Sequence, residues 1–204
     1  MTAPCYLPAM FRLPSFVALT AMLIFATTGC GPATRADATD ITGVMPPLSF
    51  SMVRANDFET VSAADYRGKT VLLYFGYTHC PDECPTTLAN IGAALRKLGP
   101  AARNVRALFV SVDPGRDTIA VLRRYVQAFA PQIDGLRGTD DAIAMLARRY
   151  RVLYTVTPAA PGHAYEVMHS DSLFLFDGTG RARFVLTSTS DTAALASRIQ
   201  ELNG

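Results

Sequence analysis

Tryptophan is absent, and the 204 residues include only three histidines and four cysteines. A folded part of about 165 residues buries enough surface to need no disulfide scaffold. Cys5 falls in the apolar leader and Cys30 at its end, which leaves Cys80 and Cys84 for the folded part. A structural zinc site wants four ligands, commonly from two cysteine pairs, so a single pair argues against a closed zinc site. A strong charge bias is missing as well. The formal net charge is +2, and one of the positive charges, Arg12, belongs to the leader. Without a clustered basic excess there is no nucleic-acid footprint. Internal repeats and a local Ser-His-Asp signature are absent, and Asp177-Gly178-Thr179-Gly180 is followed by no helix start and reads as a hairpin turn.

The longest apolar run, Leu13 to about Thr28, is short for a spanning helix of ~20 residues and has Pro14 near its start. With Arg12 before it and small residues after it, residues 1–29 read as a secretory signal peptide. Thr27-Thr28-Gly29-Cys30 looks like a lipoprotein box that would make Cys30 the lipidated first residue, although Thr27 stands where leucine is usual. Ala36-Asp37-Ala38 is the competing cleavage site. Residues 30–47, small, polar and aperiodic, read as a flexible tether, and 48–204 as the folded domain.

Most informative is Val71 to Pro85, VLLYFGYTHCPDECP. A continuous apolar run closed by Gly76 predicts a strand buried on both faces. Proline is welcome at the first helical position, so Pro85 predicts a helix starting there, with Cys84 as its N-cap residue. Both sulfurs would then lie at a helix N-terminus, where partial positive charge lowers a thiol pKa. Beyond it, Leu88, Ile91, Leu95 and Leu98 recur at helical spacing up to Gly99-Pro100. Val105–Val112 and Ile133–Arg137 read as strands. Asp117 or Thr118 and then Asp140 open further helices. Leu173–Phe176 and Arg183–Thr187 form a hairpin, and Ser190 or Asp191 starts a last helix. Leu48 to Val53 alternates like a half-buried strand. The alternation of strands and helices as a whole predicts an α/β fold with a mixed central sheet flanked by helices, an added N-terminal strand region and a C-terminal hairpin. A dithiol placed after a buried strand makes it thioredoxin-like.

Cys-x-x-x-Cys brings two sulfurs close enough to close a disulfide or to share one soft metal ion. Copper(I) accepts two or three soft ligands, and imidazole suits copper in either oxidation state. His79 adjoins Cys80 and should point away from the shared face, and His163 lies in a Pro-Gly loop. His169, after the strand Tyr165–Met168, is either the third ligand or an ordinary structural histidine. Scattered Met45, Met52, Met145 and Met168 make no copper box.

FGYTHCPDECP, SVDPGRDT (Ser111–Thr118) and the histidine of MHSDSLFLFD together resemble the three signatures of the Sco/SenC family, from about Leu48 to Gly180. The resemblance implies a membrane-anchored, thioredoxin-fold copper protein that assists assembly of the binuclear copper centre of cytochrome c oxidase. It implies Cys80, Cys84 and His169 as copper ligands. Asp82 and Asp113 match motif positions, the first as a partner-facing or supporting carboxylate and the second chiefly as a turn former. Asp171 and Ile119 depart from the pattern without touching the ligands. The expected function is a copper metallochaperone of the cell envelope, facing the periplasm on a lipid anchor at Cys30. Its partner would be the copper-bearing oxidase subunit or another copper chaperone, with a monomeric domain and no nucleic acid. The alternative is a thiol-disulfide oxidoreductase acting on exported proteins, with Cys80 attacking and Cys84 resolving. Only that reading involves turnover chemistry.

Overall fold

The computed structural model describes residues 38–203, so the leader, Cys30 and the first part of the expected tether lie outside the described residues. In chain order the strands are β1 (Ala38–Asp40), β2 (Ser51–Arg54), β3 (Thr60–Ser62), β4 (Thr70–Gly76), β5 (Val105–Ser111), β6 (Ile133–Arg137), β7 (Tyr154–Thr157), β8 (Glu166–His169), β9 (Leu173–Phe176) and β10 (Ala182–Leu186). The helices are α1 (Glu83–Leu98), α2 (Ile119–Gln127), α3 (Asp140–Arg149) and α4 (Thr192–Leu202).

Eight of these strands form one sheet in the order β1-β10-β9-β4-β5-β6-β2-β3. β4, β5 and β6 run parallel, because α1 and α2 carry the chain back between them. β9 joins the other edge of β4 antiparallel, and the hairpin to β10 extends it. All seven residues of β4 are buried, as a strand covered on both faces must be. This mixed, helix-flanked sheet with its closing hairpin is thioredoxin-like, as the alternation predicts. β7 and β8 pair apart from it as a two-stranded hairpin.

Short polar residues set the helix starts. Thr118 and Thr139 accept from the backbone N–H of Val121 and Ala142, and Asp191 accepts from those of Ala193 and Ala194. Asp140 and Asp141 in the first turn of α3, with Arg148 and Arg149 in its last, complement its dipole. α1 ends where Gly99 takes a positive φ of 56°.

Two expectations need correction. Residues 38–47 are not a loose tether: β1 pairs with β10 from Ala38↔Leu186 to Asp40↔Phe184, and Ile41 is buried. α1 begins at Glu83, with Asp82 rather than Cys84 at the N-cap position. Pro85 is therefore its third residue. The first turn's N–H groups have no intrahelical acceptor, so a proline there removes no bond.

Candidate metal centre

The loop after β4 carries Cys80, and the first turn of α1 carries Cys84. The backbone N–H of Cys84 donates to the Cys80 sulfur at 3.4 Å, so the turn folds around that atom. Cys84 is fully buried and Cys80 half-buried, and both thiols are unpaired. Gly76 makes room for this. A Cβ there would lie 2.8 Å from the Cys84 sulfur and 2.6 Å from the Phe109 ring, which is why the strand closes on glycine.

His169 reaches the sulfurs through the sheet register. β9 pairs with β4 so that Leu173 stands opposite Tyr74. Running backwards from Leu173, the chain passes the carboxyl end of β4, and His169 arrives above the dithiol loop. Its Nε2 lies 3.2 Å from the Cys84 sulfur, and its Nδ1 faces the Ser170 carbonyl at 3.3 Å. With Nδ1–H donating to that carbonyl, Nε2 keeps its lone pair toward the sulfurs. Tyr74 and Tyr77 meet the imidazole edge-on, at centroid distances of 6.0 and 5.8 Å. The three ligand atoms of Cys80, Cys84 and His169 lie within 4.8 Å of one another. One borderline-soft imidazole and two thiols in that space suit a thiophilic metal ion.

The helix start does not lower the Cys84 pKa. Burial pushes this thiol far up, and the neighbouring Cys80 adds to the effect against a lowering hydrogen bond from the Tyr77 backbone. Desolvation outweighs the helix terminus here.

The other predicted residues fall around this cluster. Asp82 is exposed and makes no side-chain capping bond. Asp113 is buried, so it faces inward and not toward a partner. Its backbone carbonyl closes the turn by accepting from Arg116 and Asp117. Its carboxylate accepts from the Tyr165 hydroxyl at 2.8 Å and pairs with the Arg116 guanidinium. That guanidinium stacks 4.0 Å from the Tyr165 ring. His79 is exposed, leans toward Asp117, 3.7 Å away, and is not one of the three converging ligands. His163 sits in the exposed β7–β8 connection.

Three contributors were not legible as such. Asp117 is not the cap of α2 but a fully buried carboxylate. It accepts from the Thr78 N–H at 3.0 Å, the Thr78 hydroxyl at 2.6 Å and the Ser111 hydroxyl at 2.6 Å, tying the Cys80 loop to the end of β5. The available signal was Ser111, a polar residue closing an apolar run. Tyr74 read only as a core residue, yet its hydroxyl lies 3.9 Å from the Cys84 sulfur. Asp171 does reach the site indirectly, accepting from that hydroxyl at 2.8 Å.

A thioredoxin-like sheet that presents two reduced cysteines at a helix start, with an imidazole laid across them, defines a dithiol–histidine metal-site class of protein. The chain belongs to the SCO1/SenC family, whose model matches residues 47–204. Among curated proteins it is 45% identical to the mitochondrial SCO2 homolog of Bos taurus over 119 residues, 57% of this chain and 45% of that protein. The chain spans just under half the length of the first curated relatives it matches. The solved structure of Bradyrhizobium japonicum ScoI with copper bound is 34% identical, with a TM-score of 0.69, and the match covers 76% of this chain and 98% of that one. Yeast Sco1 with copper bound is 31% identical at a TM-score of 0.69, covering 77% and 87%.

Proposed function

We propose that this chain is a copper metallochaperone that holds copper through Cys80, Cys84 and His169. It passes the metal by ligand exchange to the binuclear copper site of cytochrome c oxidase, or to another copper carrier. The convergence of the three ligand atoms within 4.8 Å carries this reading, and copper-bound structures of family members support it. Copper entering the site displaces the thiol protons of Cys80 and Cys84 to solvent and takes the lone pair of His169 Nε2. Cys80 and His169, the partly exposed ligands, are where an acceptor's ligand enters; the buried Cys84 holds the ion until last.

The test is copper content and visible absorption of the reduced protein after copper addition. A thiolate-to-copper(II) charge-transfer band is expected in the wild type and lost in Cys84→Ser. His169→Ala should weaken binding by at least tenfold. Equal affinity with and without His169 would sink the copper reading and leave the oxidoreductase alternative, which needs only the dithiol. The buried, raised-pKa Cys84 is compatible with a resolving role there.

The envelope address belongs to the same proposal: residues 1–29 direct export, Cys30 carries the lipid, and the domain faces the periplasm. Among the described residues no helix is long and apolar enough to cross a membrane. Labelled palmitate should enter the wild type and not Cys30→Ser.

A further inference from the structure

We propose that Asp171 tunes the bound copper by holding the Tyr74 hydroxyl proton away from the Cys84 sulfur. The inference rests on the copper reading above. Tyr74 is almost fully buried, and its hydroxyl accepts from Thr87 and stands between two acceptors for its own proton. Asp171 Oδ1 is 2.8 Å away, and the Cys84 sulfur is at 3.9 Å. A phenol has one proton to give. The short contact takes it, and the long one leaves the oxygen beside the sulfur without a donated hydrogen.

This matters once Cys84 becomes a thiolate. A hydrogen bond donated to a metal-bound thiolate draws electron density from sulfur, weakens its donation to copper and changes the reduction potential. Copper(II) depends on that donation more than copper(I) does. By committing the Tyr74 phenol proton, Asp171 preserves the donor strength of Cys84 and favours retention of copper(II); the Tyr77 phenol instead bonds Cys80. No bond is made or broken in this device, and the single proton stays on the tyrosine oxygen throughout. Asp171 is thus a positioning residue acting through Tyr74.

The experiment uses the reduced full chain loaded with copper(II), reading the charge-transfer band and the reduction potential of the bound copper. Asp171→Ala releases the phenol to turn to the sulfur, so the band should move to shorter wavelength and the copper become easier to reduce. Asp171→Asn keeps an acceptor oxygen, and Tyr74→Phe has no proton to donate. Both should leave the band at its wild-type position, as should the double variant Tyr74→Phe/Asp171→Ala.

An unshifted band in Asp171→Ala overturns the inference and leaves the copper reading intact. A shift that persists in the double variant also overturns it, because the carboxylate charge and not the phenol proton would then be acting. A shift to longer wavelength in Tyr74→Phe overturns it too, since the phenol would already be donating to sulfur. A wild-type protein with no copper band overturns the copper reading and this inference with it.

Discussion

At the scale of single residues, the site depends on space as much as on ligands. Cys84 is placed by a missing side chain, because Gly76 lies where a methyl group would overlap both its sulfur and the Phe109 ring. Neither neighbour has room to retreat, since Cys84 and Phe109 are themselves fully buried. Gly76→Ala should therefore destabilise the fold by about 1–3 kcal/mol, the usual range for overpacking a filled core. It should also displace the sulfur from His169. Chemical denaturation checks the first effect. The second appears as weaker copper binding at a temperature where the variant remains folded. A variant of wild-type stability and affinity would show that the strand end can yield.

Among the elements, the hairpin β7–β8 is the one the site depends on most, and it lies outside the main sheet. Its two ends are tied to each other, and it is fastened to the turn after β5 through Tyr165. Beside the sheet, the Ser170 N–H donates to the Leu153 carbonyl and the Ser170 hydroxyl accepts from the Leu153 N–H. Just before β8, Tyr165 is gripped by Asp113 and Arg116. Arg116→Ala removes the stacked cation and leaves Asp113 buried without its ion pair. Arg116 is partly exposed, so on the order of 1 kcal/mol of His169 positioning, roughly fivefold in copper affinity, should be lost. Tyr165→Phe should act in the same direction by removing the hydroxyl, and a competition titration for copper measures both. Titratable thiol should be unchanged in each.

Much of this architecture was legible because it is local. Ile133–Arg137 is a strand with the bounds its sequence predicts, and Gly99 stops α1 as expected. What escaped depends on partners far along the chain. Ala-Thr-Asp at 38–40 has no strand pattern and becomes β1 only through pairing with β10. The start of α1 was misplaced because Pro85 is as harmless at the third position as at the first. The Cys84 pKa went the wrong way because no local rule counts the β4 residues and tyrosines that exclude water from it.

For the molecule as a whole, acids away from the copper site contribute to the pH dependence of stability. Asp57 and Asp65 are held below the ordinary carboxylate range chiefly by hydrogen bonds from Arg54 and from Ser62, and at Asp177 burial is outweighed by hydrogen bonds from Thr179, Arg181 and Arg183. Their contributions are present above the unfolded pKa and fade as the pH falls through the folded one. Asp134 on β6 works against them. Burial raises its pKa above 3.8, although Tyr66 donates to it at 2.9 Å and Arg54 and Arg106 lower it. The folded state therefore binds this proton more tightly than the unfolded chain does. Its contribution is fully present below pH 3.8 and is lost as the pH rises through the folded value. Asp134→Asn carries no charge at any pH and keeps an acceptor for Tyr66. The stability of the wild type minus that of Asp134→Asn should accordingly decrease as the pH rises from about 4 toward neutrality. Asp65 and Asp177, common to both proteins, cancel in the difference, and Asp57, whose charge acts on Asp134, cancels in part. Urea denaturation of the pair at several pH values measures it. A difference that is flat, or that rises with pH, would mean that Tyr66 and the two arginines outweigh desolvation at this position.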